Sequence, residues 1–192
     1  MIIRKDQLKL LSENDPILNT PPKPYEFTGN EEFLVNILYE RMIELGGVGL
    51  SANQVGIPKT VFVMGLDKAR FNIFNPKILD YGSETLNFGE GCLSFPGITL
   101  DVKRPITINV EYQNVKGDVI QQTLTGLTAR VFQHEYDHML GKTFKTHVSP
   151  MKWAMAIKKF KNKKEKIIKK YSNKIAYDML NDNQNSTREI NR

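Results

Sequence analysis

The spacing of apolar residues along the chain predicts three helices. Residues 31–45 and 127–140 carry apolar side chains every three or four positions, which is the period of one face of an α-helix. Asn30 can cap the first of these helices, and Gly141 is a typical stop for the second. A Ser-Pro pair favours the start of a third helix over residues 150–171.

Between the helices, short alternating or β-branched runs predict strands. Residues 60–64 and 71–74 are expected to be neighbours, and residues 106–112 and 119–124 to form a hairpin. The glycine-rich segment 47–56 predicts a loop and lacks the spacing of a nucleotide-binding fingerprint. We therefore expect an α+β fold, in which antiparallel sheets pack around the second helix, with an N-terminal helix and a C-terminal helix.

The composition is that of an ordinary globular domain. At 192 residues with 40% hydrophobic content, the chain is long enough for one substantial core. No apolar run approaches the length of a membrane span, and the N-terminus lacks the apolar region of a secretory signal. The single cysteine, Cys92, excludes an internal disulfide and fits a reducing compartment. We therefore expect a cytoplasmic protein, taken to be a monomer, with no membrane partner.

Much of the positive charge lies in one lysine-rich segment, residues 158–170, although the formal net charge of the whole chain is only +6. Such a segment is usually the solvated face of a helix, but it also suits an anionic partner. The last residues, 172–192, are rich in Asn, Asp, Gln and Ser, and we expect most of them to be disordered.

The second predicted helix carries His134, Glu135 and His138 in the H-E-x-x-H arrangement. Side chains four positions apart lie on one face of a helix, so both imidazoles can reach one metal ion with the glutamate beside its water. A chance match would leave only a charged helix face. The pattern favours a metal site because two of the chain's three histidines are paired on one face of an amphipathic helix.

A site of this kind needs a third protein ligand from elsewhere in the chain. Cys92 is a candidate because it lies in a glycine-flanked turn and would leave the fourth metal position open to water. A lone cysteine is, however, often only a small buried hydrophobe. His147 lies beyond the helix-ending glycine and is expected to be exposed, and the extended motif with a third histidine fails because its position holds Phe144.

Three segments of the chain resemble the motifs of peptide deformylases, which remove the N-formyl group from nascent polypeptides. The segments are Gly47-Val48-Gly49-Leu50-Ser51-Ala52-Asn53-Gln54, Glu90-Gly91-Cys92-Leu93-Ser94 and Gln133-His134-Glu135-Tyr136-Asp137-His138. They occur in the order found in that family, with similar spacing, and the resemblance covers roughly residues 1–150.

The resemblance implies a metal-dependent hydrolase with Cys92, His134 and His138 as ligands. It implies that Glu135 takes a proton from the attacking water and later gives it to the leaving amine. The oxyanion donors would be the side-chain amide of Gln54 and the backbone N–H of Leu93. Family members typically use Fe²⁺ in the cell, and Zn²⁺, Ni²⁺ or Co²⁺ also suit a Cys-His₂ set.

The resemblance also indicates how a formylmethionine substrate would be held. The backbone of Gly49 would orient the peptide. Val48, Val131 and Leu127 are candidates for an apolar pocket around the methionine side chain, although ordinary core packing explains each of them equally well.

Four further positions bear on the resemblance. We include Glu90 and Arg104 in the substrate site and expect them to pair, which would brace the cysteine turn. Ser51 stands where the family usually has alanine, and Thr99 where many bacterial members carry arginine. Serine is nearly as small as alanine, so the backbone path should be the same.

The expected substrates are N-formyl-Met nascent peptides. Some deformylases dock on the ribosome through a C-terminal helix, so rRNA is the natural anionic partner. The expected organisation is a catalytic domain over residues 1–150, a basic helix over 151–171 and a tail over 172–192. The alternatives are a general H-E-x-x-H endopeptidase, which would not need Cys92, and a basic RNA- or ribosome-binding protein with a structural metal site.

Overall fold

The computed structural model describes residues 8–66 and 69–189, and the remaining residues lie outside the described part. The chain divides into two compact units, Met1–Ser149 and Pro150–Arg192. The helices of the first unit are α1 (Glu31–Glu44) and α2 (Gly126–Met139). Its strands are β1 (Gly49–Ser51), β2 (Val61–Leu66), β3 (Ala69–Tyr81), β4 (Thr85–Gly91), β5 (Thr99–Pro105), β6 (Thr107–Gln113) and β7 (Val119–Thr125). Short 3₁₀ segments occur at Pro16–Asn19, Ala52–Val55 and Phe144–His147.

The strands form two antiparallel sheets around α2. The larger sheet has the order β1-β2-β3-β6-β7, and β4 and β5 form a separate pair. α2 contacts β1, β2, β5, β6 and β7. Its Phe132 is fully buried edge-to-face against Phe62 of β2, with ring centroids 5.2 Å apart. These observations confirm the expected α+β fold with antiparallel sheets around the motif-bearing helix.

The predicted stop of α2 at Gly141 is also confirmed. Gly141 has φ 64°, and its N–H donates to the carbonyl oxygen of His138 at 3.2 Å. A Cβ at this position would come within 2.7 Å of the Pro21 nitrogen. Glycine therefore satisfies both the left-handed backbone and the close approach of the N-terminal segment.

The four predicted strands correspond to β2, β3, β6 and β7, with shifted ends. β3 continues through Pro76, beyond the predicted end at Phe74. Its pairing with β6 shifts register between Phe74 and Lys77, so the proline falls at an irregularity where no regular ladder bond is needed.

The strands β1, β4 and β5 were not predicted. The glycine-rich segment expected to be a loop contains β1, which pairs with β2. In β4 only Glu90 is buried, so no apolar alternation marks the strand. β5 does alternate, but one of its inward residues is Arg104 instead of an apolar side chain. Glu90 and Arg104, which interrupt the apolar pattern of the two strands, belong to the site described below.

α1 begins after Asn30, as predicted, but the Asn30 side chain makes no capping hydrogen bond. The carboxylate of Glu31 instead accepts the N–H groups of Thr28 at 2.5 Å and Gly29 at 3.2 Å. It also accepts the Tyr25 hydroxyl at 3.2 Å. The start of the helix is therefore held by an acidic residue in its first turn.

The second unit contains α3, which runs from Pro150 to Glu189. The helix continues past residue 171 because no glycine or proline interrupts the rest of the segment. Residues 172–189 are helical where the sequence predicted a disordered tail, and 190–192 lie outside the described residues. Disorder of this tail in solution stays a prediction. The lysines of 158–170 are exposed.

Within the described ranges, no helix is both long and apolar enough to cross a membrane.

Candidate metal centre

Three side chains that favour metal binding converge in the first unit. His134 and His138 lie one turn apart on α2, and Cys92 lies immediately after β4. The candidate ligand atoms of these residues are all within 4.8 Å of one another. The Cys92 Sγ is 3.5 Å from His138 Nε2. The arrangement therefore brings together the histidine pair and the cysteine that the sequence proposed as a third ligand.

The cysteine is presented by a tight turn at the end of β4. The N–H of Phe95 donates to the carbonyl oxygen of Cys92 at 2.9 Å, which closes the turn. The Phe95 ring is 1% exposed and packs against Phe144 with centroids 5.3 Å apart. This anchoring fixes the direction of the Cys92 side chain, which is 8% exposed.

A buried network of charged side chains holds the Nδ1 side of the His134 ring. The Glu90 carboxylate is 2.7 and 2.9 Å from two Arg104 nitrogens and 2.6 Å from Arg130 Nη1. The His134 Nδ1–H donates to Glu90 Oε2 at 3.1 Å. This bond orients the ring and leaves Nε2 free for a metal. The predicted pairing of Glu90 with Arg104 is present.

The roles of two further residues in this network, Arg130 and Asp137, were not predicted from the sequence. Arg130 lies four residues before His134, so both side chains share one face of α2 and reach the same carboxylate. Asp137 accepts Arg104 Nη2 at 2.9 Å and His147 Nε2 at 2.8 Å. His147 is exposed, as expected, and it pairs with Asp137 instead of joining the ligand cluster.

Burial and hydrogen bonding shift the protonation of these groups strongly. Burial disfavours the charge on Glu90, but the bonds to His134 and Arg104 outweigh it and lower the Glu90 pKa to about 2. Burial also disfavours charge on His134, but its bonds to Cys92 and Glu90 raise its pKa to about 10. Burial, followed by repulsion from His134, lowers the pKa of His138 to about 3. His138 is therefore neutral with an available lone pair, and metal binding would displace a proton from His134.

Glu135 lies beside the ligand cluster and is 3% exposed. Its Oε2 accepts the Ser51 hydroxyl at 2.6 Å. Burial raises the pKa of Glu135, although His134 and the Ser51 bond act in the opposite direction. A carboxyl group with a raised pKa next to a candidate metal site is suited to accept and return a proton.

Gln54 approaches the cluster from the 3₁₀ segment that follows β1. Its Oε1 accepts the N–H of Ser51 at 3.0 Å. Its Nε2 donates to Cys92 Sγ at 3.4 Å and to Ser94 Oγ at 3.2 Å. The amide donor therefore faces the cysteine, and Gln54 lines the cavity described next.

A cavity of about 760 Å³ opens onto these groups. It is lined by every predicted site residue except His138 and Arg104: Val48, Gly49, Gln54, Glu90, Cys92, Leu93, Leu127, Val131, His134 and Glu135. Arg104 is 3% exposed and bonds to Glu90, the position expected to brace the cysteine turn, and its inclusion in the substrate site stays a prediction.

The predicted pocket residues differ in their surroundings. Val48 and Leu127 are 48% and 54% exposed, so core packing does not account for them. Val131 is 6% exposed and belongs to the hydrophobic core around Phe62 and Phe132 as well as to the cavity wall. An apolar wall beside a polar cluster is the usual composition of a ligand site.

Comparison with known proteins agrees with this geometry. A family model described as polypeptide deformylase matches residues 7–154. A peptide deformylase of Thermotoga petrophila is 42% identical over 146 residues, which cover 76% of this chain and 89% of that protein.

Solved structures give the same result. The crystal structure of peptide deformylase from Thermotoga maritima superposes with a TM-score of 0.72 and 39% identity, over 75% of this chain and 99% of that one. A peptide deformylase from Synechococcus elongatus in complex with actinonin gives a TM-score of 0.76 and 33% identity, over 79% and 85% of the two chains. The chain therefore belongs to the polypeptide deformylase family.

Proposed function

We propose that this chain removes the N-formyl group from the N-terminal formylmethionine of nascent polypeptides and releases formate. The observation that carries the proposal is the convergence of Cys92, His134 and His138, with Glu135 beside them, on one cavity. Membership of the deformylase family supports the same reaction. The endopeptidase alternative gives no reason for a cysteine among the candidate ligands.

The donor set fits a divalent transition metal. One thiol and two imidazoles converge within 4.8 Å, and the lowered pKa of His138 leaves one of its ring nitrogens with a lone pair. Three protein ligands leave a position for water or substrate. When bound, the metal supplies Lewis-acid chemistry and lowers the pKa of a coordinated water. We take Fe²⁺ as the metal in the cell, with Zn²⁺, Ni²⁺ or Co²⁺ as substitutes that the same ligands accept.

Glu135 is the proposed general base. Its burial raises its pKa, so it can accept a proton from the attacking water and deliver it to the leaving amine. Gly49 leaves room for this carboxylate, because a Cβ there would overlap Glu135 Oε1. The backbone of the same glycine lines the cavity, where it would orient the peptide.

Gln54 and Leu93 are the proposed oxyanion donors. The Gln54 amide already points its Nε2 toward Cys92. Leu93 follows Cys92 in the turn and lines the cavity, which supports assigning its backbone N–H as the second donor. Donors that are fixed before the reaction stabilise the developing negative charge without reorganisation.

The methionine side chain is assigned to the apolar wall formed by Val48, Leu127 and Val131. Two of these side chains are about half exposed at the cavity, so a bound thioether chain would cover apolar surface that water now contacts. We therefore propose that this wall sets the preference for formylmethionine.

The two units support separate roles, a catalytic domain over residues 1–150 and a basic helix beyond it. The exposed lysines of 158–170 suit an anionic partner, for which rRNA is the proposed identity. We propose a monomer that acts where formylated chains are made, in a bacterial or host cytoplasm or in an organelle. Deletion of 150–192 should abolish ribosome co-sedimentation at low salt, and unchanged binding would remove this role.

The direct test is formate release from a formyl-Met peptide by protein loaded anaerobically with Fe²⁺. The proposal predicts stoichiometric formate and a free N-terminal methionine. A matched peptide with an N-terminal acetyl group tests whether the reaction is specific for the formyl amide. Protein with a full complement of metal that releases no formate would contradict the proposed function.

A further inference from the structure

Two hydrogen bonds place Ser51 between the groups that the proposed reaction needs. Its hydroxyl donates to Glu135 Oε2 at 2.6 Å, and its backbone N–H donates to Gln54 Oε1 at 3.0 Å. Ser51 is fully buried, Gln54 is 1% exposed and Glu135 is 3% exposed. A hydroxyl bond of this length to a carboxylate oxygen is among the stronger hydrogen bonds in proteins.

The two carboxylate oxygens of Glu135 have different surroundings. Oε2 is held by Ser51, which does not line the cavity, whereas Glu135 itself does. Gly49 lies two residues before Ser51 on β1 and so faces the same side of the strand. A Cβ at Gly49 would meet Oε1. β1 therefore supplies both the space and the donor that fix the orientation of this carboxylate.

We propose that Ser51 is a positioning residue for the reaction: by holding Oε2, its hydroxyl presents Oε1 of Glu135 to the attacking water as the proton acceptor. The inference rests on the proposed function, because it requires Glu135 to take that proton. The hydroxyl matters here because alanine, which the resemblance gives as the usual residue at this position, has no such donor.

The backbone of Ser51 adds to this role. Its N–H occupies the carbonyl oxygen of the Gln54 amide, so the amide nitrogen faces Cys92 Sγ at 3.4 Å and Ser94 Oγ at 3.2 Å. A single residue of β1 thus sets the placement of the proton acceptor relative to the oxyanion donor. Reaction rates depend steeply on such placement, because reacting groups must be aligned before the barrier is crossed.

A purely structural role is the competing explanation. The Ser51 hydroxyl also lies 3.4 Å from the backbone carbonyl oxygen of Glu135, and such a contact would only tie β1 to α2. The two roles differ in what they change. A structural contact affects stability and metal content, whereas orientation of Oε1 affects the chemical step through Glu135 alone.

The test is Ser51→Ala, compared with the unchanged chain for kcat, KM, metal content and the urea midpoint of unfolding. We expect kcat to fall about 10-fold, the size of one hydrogen bond to a charged group. KM and metal content should be unchanged. The unfolding midpoint should fall modestly, because Ser51 is also the N-cap of the 3₁₀ segment Ala52–Val55 and its buried hydroxyl is lost. Thr60→Val is the matched control, because it removes a hydroxyl that donates at 2.8 Å to the Lys23 carbonyl outside the cavity. It should leave kcat and KM unaltered.

A double-mutant cycle identifies Glu135 as the residue through which Ser51 acts. In a Glu135→Asp background the shorter carboxylate cannot reach the hydroxyl, so Ser51→Ala should have no further effect on kcat. An equal loss in that background would overturn the inference. So would an unchanged or raised kcat for Ser51→Ala alone, or a loss of activity that is fully accounted for by lost metal or by unfolded protein.

Different measurements would show that the proposed function itself is wrong. In that case the metal-loaded natural sequence would release no formate, or Glu135→Ala would remain active. If the natural sequence is active and Glu135→Ala is not, the comparison of kcat between Ser51→Ala and Thr60→Val decides the role of Ser51 alone.

Discussion

Glu90 Oε2 lies 3.1 Å from His134 Nδ1, and this one carboxylate also binds two buried arginines. The candidate ligand His134 is therefore oriented by a carboxylate whose own position is fixed by the guanidinium groups of Arg104 and Arg130. The pairing explains why charged side chains are tolerated behind the site: each is matched by an opposite charge at hydrogen-bond distance.

Replacing Glu90 by Gln should weaken both metal binding and folding. Arg104 and Arg130 would lose their shared anion, which we expect to cost about 3 kcal/mol of unfolding free energy. Glutamine has one acceptor oxygen and no charge for the donors of Arg104, Arg130 and His134, so the bond that orients His134 should weaken and metal affinity should fall by about 10- to 100-fold. Metal titration and urea unfolding measure the two effects. Lys77→Gln, at the exposed pair with Glu111, is the control and should change neither quantity.

Replacing Gln54 by Leu should impair the chemical step. Without the amide donor we expect kcat to fall about 100-fold while metal content is retained. The Ser51 N–H would also lose its acceptor, so the unfolding free energy should drop by about 1–3 kcal/mol. Gln122→Leu, which removes an amide bonded to Tyr112 outside the cavity, should leave kcat unchanged. A kcat for Gln54→Leu close to that of the natural sequence would exclude this amide as an oxyanion donor.

Replacing Leu127 by Glu should raise KM for formyl-Met peptides roughly 10-fold, because a charged group would replace apolar surface in the cavity wall. Leu127 is 54% exposed, so the folded state should tolerate the change. The comparison is Leu79→Glu, an equally exposed leucine at 51% that does not line the cavity. Equal KM values for the two variants would remove Leu127 from the methionine pocket.

Glu31 should contribute stability that depends on pH. Burial opposes its ionisation, but the N–H groups of Thr28 and Gly29 and the Tyr25 hydroxyl lower its pKa. Because the folded pKa lies below the unfolded one, this stability is present above the unfolded pKa and is lost as pH falls through the folded value.

The substitution Glu31→Gln should therefore lower the urea midpoint at neutral pH, and the difference from the natural sequence should shrink as the solution is acidified. Glu32→Gln, an exposed neighbour in the same turn, should behave as the natural sequence does at every pH. A difference for Glu31→Gln that grows toward acid would contradict the assigned direction of the pKa shift.

The helices α1 and α2 could be predicted because both have an apolar face and a recognisable end, in the left-handed Gly46 and Gly141. The strands β4 and β5 could not, because their inward positions include Glu90 and Arg104. Those residues are buried within one network of opposite charges, and a search for alternating apolar residues does not detect such a network. The end of α3 was missed for a different reason, since polar composition does not by itself stop a helix that lacks glycine and proline.

The candidate site was predictable where the chemistry lies in short motifs. His134, Glu135 and His138 are adjacent on one helix, and Cys92 stood out as the lone cysteine. Contacts between distant segments were not predictable from one sequence. The Ser51 bond to Glu135 joins residues 84 positions apart, and serine at that position was expected to matter only through its small size.

The most direct test of the account measures bound metal and formate release together in the natural sequence, Cys92→Ala and Glu135→Ala. We expect Cys92→Ala to lose both metal and activity, since a ligand is gone. Glu135→Ala should keep its metal and lose formate release, since only the proton acceptor is gone. A Cys92→Ala protein that retains full metal and full activity would contradict the assignment of Cys92 as the third ligand, on which the account depends.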